Sequence, residues 1–361
     1  MKKILLTLLL LFESAFSDSV SIVFLGDTYF GESYQTGQKF NRGENVINKY
    51  GYDYFFQNVK DLLTGADLVF ANLETPLTTY EIDYTSNKKY IHFSNADSTP
   101  FYLAKYNIGA VSLANNHIFD LGFKGFETTA ASLNSYSISS FGAGYNETEA
   151  FKPFTKRLPI GKNEFEIFVF GCYWHRKSFA EKNYYASENS GGVNLLEPGK
   201  IINEVKKIKE SNPSAFVIVY SHWGSNYREA NVYQSEIAIK LIEGGVDLII
   251  GHGAHRIQKI ENYKGKWIIY NIGNFIFNSP GRYEKFDAKP CSFIVKLEVS
   301  EKKDKTLKLY PVFTDNLKTN YQIRLVNETE FKKCNGYLIN TGLSKNDFKK
   351  IDSKYFQVSL N

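Results

Sequence analysis

Few cysteines, no second long apolar run and no basic block mark this chain of 361 residues. Its three cysteines, Cys172, Cys291 and Cys334, stand alone, and none belongs to a Cys-x-x-Cys pair. That excludes a structural zinc knot of the usual spacing. Three is an odd number for a disulfide framework, and it leaves a Cys291–Cys334 pairing open in an oxidising compartment. No segment beyond the N-terminus approaches the roughly 20 apolar residues of a spanning helix. The net charge of +5 is spread along the chain. A nucleic-acid partner needs a concentrated stripe of Lys and Arg, so that class of partner is excluded. Internal repeats, low-complexity tracts and Pro-rich linkers are also lacking, which predicts one domain over residues 18–361.

The N-terminus carries the clearest targeting pattern. Lys2 and Lys3 precede an apolar stretch over residues 4–12, and Ala15 and Ser17 place small side chains at −3 and −1 of a cleavage point after Ser17. This is the layout of a secretory signal over residues 1–17. It predicts export, with the mature chain periplasmic, extracellular or associated with the cell envelope.

The full chain has 43% hydrophobic and 22% charged residues, the balance of a folded core. Short apolar runs alternate with helical stretches. Strands are predicted over 21–25, 67–71, 110–113, 165–170, 216–220, 247–250 and 267–272. Helices are predicted over 54–63, 100–106, 125–133, 201–210 and 233–243. Near-continuous apolar strands separated by helices indicate an α/β protein with buried sheets. Beyond Cys291 the alternation over 293–299 and 306–312 reads as antiparallel strands closing a sheet. The polar, Tyr-rich stretch over 78–95 reads as a long surface loop.

Chemistry-bearing residues recur at one position, immediately after a strand. Asp27, Glu74, Asn115-Asn116-His117, His222 and the pair His252 and His255 all fall there, whereas His92 and His175 do not. Each alone has an ordinary reading: Gly-Asp as a turn, Asn-Asn as a turn pair, a lone His as a satisfied core residue. Strand C-termini of an α/β sheet converge on one edge, so jointly the groups predict a shared polar site. Imidazole, carboxylate and amide oxygen suit Mn, Fe or Zn. Two such ions need a bridging carboxylate and several terminal donors. His117 is left over as a proton donor or a stabiliser of developing charge.

The segments around these residues resemble the CapA family of poly-γ-glutamate capsule biosynthesis. The resemblance rests on residues 70–76 (FANLETP), 111–117 (VSLANNH), 141–144 (FGAG), 221–224 (SHWG), 244–252 (GGVDLIIGH) and 270–277 (YNIGNFIF), in family order. It covers a core of about 21–280, followed by a β extension after 291. It implies a calcineurin-like fold, a four-layer sandwich of two packed β-sheets flanked by helices, with a metallophosphoesterase-like site. Position by position it implies Asp27, Glu74, Asn116, His222, His252 and His255 as metal ligands and His117 as the catalytic histidine. The first strand departs from the Asp-x-His of typical phosphoesterases, having Tyr29 in place of the His. The role implied is capsule or surface-polymer synthesis. The chain would then be either a metal-dependent hydrolase of phosphoester or amide bonds, or a non-catalytic, polymer-binding accessory subunit. The implied partners are an anionic surface polymer or its precursor and the membrane-bound machinery of capsule synthesis.

Overall fold

The computed structural model describes residues 18–35, 45–79, 90–340, 348–351 and 354–360. The signal expected over residues 1–17 lies outside them.

Two sheets carry the molecule. In the first, Ser19–Tyr29, Leu68–Leu73, Ile108–Ser112 and Ser139–Phe141 run parallel in that order. Cys291–Ser300 adds antiparallel to the other side of Ser19–Tyr29, followed by Lys305–Phe313 and Tyr355–Leu360. The strands expected after residue 291 therefore extend this sheet. In the second, Lys266–Ile269, Leu248–His252, Phe216–His222 and Asn163–Tyr173 are parallel, with Ile260–Tyr263 and Phe154–Ile160 antiparallel at the edges.

Strand alternation sorts the core into layers. Ile22, Phe24 and Phe70 of the first sheet pack with Ile218, Tyr220, Leu248 and Ile250 of the second. The intervening residues Val23, Leu25, Val69, Val217, Val219 and Ile249 face outward, where Leu103, Phe126, Leu133, Ile201, Val205 and Leu241 from the helices cover them. Both faces of each central strand are thus buried, which is why these strands read as unbroken apolar runs. Helix, sheet, sheet, helix is the four-layer sandwich that the resemblance implies.

Four local expectations change. The helix expected over 54–63 is two short helices, Asp53–Phe56 and Lys60–Thr64. Phe55, Phe56, Val59 and Leu63 are all buried and would share one face of a continuous helix, so the apolar spacing alone does not foretell the break. The strand expected over 267–272 stops at Ile269, and the chain crosses to the first sheet, where Asn274–Phe277 pairs with Ser19–Tyr29 and sets Asn274 opposite Asp27. Of the stretch read as surface loop over 78–95, the described end over 90–95 is not on the surface: Ile91, His92 and Ser94 are buried, and Leu77–Thr78 pairs with Ser94–Asn95. The sequence pattern also missed the helix Glu328–Asn340, which Cys334 ties to the first sheet through a disulfide with Cys291.

Candidate metal centre

The parallel strands of both sheets end on one edge, and the expected residues meet there. Ser19–Tyr29 brings Asp27, Leu68–Leu73 leads into Glu74, Phe216–His222 ends in His222 and Leu248–His252 in His252. Close backbone approach makes this possible. A Cβ on Gly26 would lie 1.7 Å from the Gly273 carbonyl oxygen, so only glycine fits between the first strand and the crossing segment. Gly253 has φ of +99°, and its N–H donates to Asp27 Oδ2 at 3.0 Å.

Asp27 is the shared member. Its Oδ1 lies 3.4 Å from His252 Nδ1 and 3.7 Å from His222 Nδ1, while its Oδ2 lies 3.1 Å from His255 Nδ1. Two donor groups result, Asp27–His222–His252 and Asp27–Glu74–His255, each with its ligand atoms within 4.8 Å of one another. Glu74 Oε1 is 3.9 Å from His222 Nε2 and 3.8 Å from His117 Nε2. Asn116 is half-buried and borders the cleft beside His222. Tyr29, at the departed position, bonds the Ser33 hydroxyl and stacks on His92.

The donors fit a cation by a separate criterion. Glu74 is fully buried, yet neither of its carboxylate oxygens has a hydrogen-bond partner, and the same holds for His252 Nε2. Leaving a buried carboxylate uncompensated costs several kcal/mol. A divalent cation among Asp27, Glu74 and the imidazoles removes that cost, and the groups are compatible with such a site.

Electrostatics follow from burial. Burial pushes the Asp27 carboxyl up, but hydrogen bonds from His252 and His255 outweigh it and hold the group well below the usual carboxylate range. Glu74 moves the other way, raised by burial and by the neighbouring Asp27 charge. Two carboxylates in one dry site separate in this manner. Burial lowers His222 and His252, with Asp27 opposing, which favours the neutral imidazoles that ligate metals.

Several further residues brace the site, and all of them but Asn115 escaped the strand-end pattern. Asn72 Nδ2 donates to Asp27 Oδ1 at 2.9 Å and lies 3.2 Å from His222 Nδ1. Asn115 bonds Asn72 Oδ1 and the Leu73 carbonyl through its amide, and its Oδ1 accepts from the His117 N–H. Asp120 Oδ2 holds His117 Nδ1 at 2.7 Å. His92 lies against His117 and bonds the Glu74 carbonyl at 2.9 Å. Asn274 Oδ1 holds His255 Nδ1 at 2.9 Å. Asp120 had a signal, three residues beyond His117. His92 had none, because it comes from the polar stretch.

Asp27, Glu74, His222, His252 and His255 would hold a divalent cation, which would supply Lewis acidity at this edge. The protein supplies the remainder. Asp120 fixes a proton on His117 Nδ1 and aims Nε2 into the centre, where that nitrogen can pass a proton to or from a reacting oxygen or nitrogen.

Comparison with known proteins gives the family. The family described as bacterial capsule synthesis protein PGA_cap matches residues 21–279, and the chain belongs to that family. It is similar to the PGA biosynthesis protein CapA of Bacillus subtilis, 30% identical over 72% of this chain and 64% of the relative. It is also similar to the capsule biosynthesis protein CapA of Bacillus anthracis, 28% identical over 65% of this chain and 56% of the relative. The chain thus spans less than two thirds of the length of these relatives. Among solved structures it is similar to the calcineurin-like phosphoesterase YfkN of Bacillus subtilis, with a TM-score of 0.41, 13% identity and coverage of 90% of this chain and 97% of that one.

Proposed function

We propose that this chain is an exported, metal-dependent hydrolase acting in the synthesis of an anionic surface polymer of the poly-γ-glutamate kind, on phosphoester or amide bonds. One observation carries the reading: buried Asp27 is shared by two donor groups, next to a Glu74 carboxylate without hydrogen-bond partners. Asn116 completes the ligand set at the cleft wall, and His117 serves as the proton-transfer group. Mn, Fe or Zn, one ion or two, suits these donors. Membership of the capsule synthesis family supports the process, with the polymer or its precursor and the membrane-bound synthesis machinery as partners. The leader pattern and the Cys291–Cys334 disulfide support export to an oxidising compartment.

The test is elemental analysis of residues 18–361 beside a His222→Ala/His255→Ala variant, with turnover screened on phosphodiesters and γ-glutamyl amides. One or two equivalents of metal and turnover, both lost in the variant, is the expected result. No metal uptake after incubation with each ion overturns the hydrolase. Tyr29, standing where a histidine ligand is usual, favours the second reading, a polymer-binding accessory subunit. Metal uptake without turnover on any of these bonds selects that reading.

A further inference from the structure

A cleft of about 320 Å³ opens beside the centre, with Asn116 and His222 in its wall. Most of the remaining wall comes from the end of the strand Asn163–Tyr173 and the segment after it, with Gly224, Asn226 and Gly253 completing it. The Trp174 N–H donates to the His222 carbonyl at 3.2 Å, which seats this segment directly on the metal centre. Arg176 lies over the Trp174 ring, its Cζ 4.5 Å from the centroid, and Lys182 lies 6.0 Å from the centroid of Tyr184. Tyr185 fixes the turn that carries them. It accepts from the Arg176 N–H at 2.8 Å and donates to the Trp174 carbonyl at 2.7 Å.

The chemistry of this cleft is one-sided. No Asp or Glu lines it, and among the described residues neither Arg176 nor Lys182 is ion-paired with a carboxylate. Elsewhere on the surface lysines commonly pair with acids, as Lys105 does with Asp53 and Lys264 with Glu243. Two unneutralised cations backed by aromatic faces form a receptor for an anion on a hydrocarbon stem. The guanidinium matches a carboxylate fork, and the rings cover methylene groups. A bare polyphosphate offers the charge without the methylenes.

We propose that the Trp174–Lys182 cleft is the substrate subsite of this protein, in which Arg176 and Lys182 hold a carboxylate on a flexible methylene arm next to the metal centre. This rests on the hydrolase reading for what happens at the adjacent bond but not for the binding itself. Arg176 and Lys182 are specificity-determining residues, and they select acidic over amidated chains.

The test uses the Mn-loaded full chain and fluorescence anisotropy. The probes are tagged γ-linked pentaglutamate, the matching pentaglutamine and a linear polyphosphate of equal charge. Pentaglutamate should bind best and weaken between about 50 and 200 mM salt. Arg176→Gln/Lys182→Gln should lose roughly tenfold or more in affinity, and Arg176→Lys should fall between. Lys206→Gln/Lys207→Gln removes the same charge from exposed positions on Pro198–Ser211 and should bind as the parent does. Circular dichroism confirms folding of each variant. Equal affinity for pentaglutamine, preference for polyphosphate, no binding, or an unchanged Kd in Arg176→Gln/Lys182→Gln overturns the subsite. Binding that depends on Arg176 and Lys182 without turnover of any bond keeps the subsite and removes the hydrolase. Turnover with a KM for pentaglutamate unaffected by the double substitution does the reverse.

Discussion

His92 and His117 lie face to face, with ring centroids 3.5 Å apart and planes within 7°, and one oxygen of Asp120 serves both residues. Asp120 Oδ2 holds His117 Nδ1 and accepts from the His92 backbone N–H, each at 2.7 Å. The stack fixes the ring plane of His117, and the carboxylate fixes its tautomer. Asp120→Asn should therefore leave the fold and metal content intact while lowering kcat by about 10²–10⁴-fold. Parallel kcat and metal measurements check this, and a variant of unchanged kcat would remove the proton-transfer role of the pair.

The sharing of Asp27 makes a stoichiometric prediction. His255→Ala touches only the donor group with Glu74, and His252→Ala only the group with His222. Asp27→Asn touches both. In a protein that binds two ions, each histidine variant should retain one equivalent and Asp27→Asn close to none. Elemental analysis after dialysis reads this directly. Saturating metal at 100 times Kd should also stabilise the parent by about 2.7 kcal/mol, and Asp27→Asn by much less.

Glu32 predicts a pH dependence away from the donors. Burial raises its pKa, and hydrogen bonds from the Ser94 hydroxyl, the Asn95 N–H and the Tyr52 hydroxyl only partly offset this. The folded pKa is above the unfolded value, so the folded state holds the proton more tightly. The contribution to stability is full below the unfolded value of about 4.3 and is lost as pH rises through the folded pKa. Glu32→Gln should flatten that part of the stability profile and gain on the parent toward neutral pH. Urea midpoints from pH 4 to 8 for both proteins decide it, and a constant difference across the range would refute it.

The disulfide spans 43 residues and anchors the helix Glu328–Asn340 to the strand Cys291–Ser300. Loop-closure entropy assigns it about 4 kcal/mol. Cys291→Ser/Cys334→Ser should unfold at lower denaturant by a corresponding amount. A reducing agent should have the same effect on the parent and none on the variant.

Gly253 should not tolerate a side chain. Its φ of +99° is unfavourable for other residues, and a Cβ would stand 2.8 Å from the His222 ring. Gly253→Ala should cost about 1–3 kcal/mol of stability and weaken metal binding, as read by thermal melts with and without the ion.

Much of the fold was legible because its signal is local. Strands such as Phe216–His222 are apolar on both faces and end abruptly in polar residues, and helices such as Pro198–Ser211 bury Ile201, Val205 and Ile208 on one side. The same abrupt endings exposed Asp27, Glu74, His222 and His252 as neighbours. The break at residues 57–59 was hidden, because Phe55, Phe56, Val59 and Leu63 keep the spacing of one continuous helical face across it.

By itself the sequence determined which residues end strands, and hence that carboxylates and imidazoles share one edge. Those outcomes follow from periodicity and burial, which act within a few residues. Only the tertiary structure decided that Asp27 stands between His222, His252 and His255, that Asn274 crosses from one sheet to brace His255, and that His92 folds under His117. It also decided that Arg176 and Lys182 line one cleft with Asn116 and His222. Such pairings join residues distant in the chain, and packing two twisted sheets face to face sets them, which no local pattern encodes.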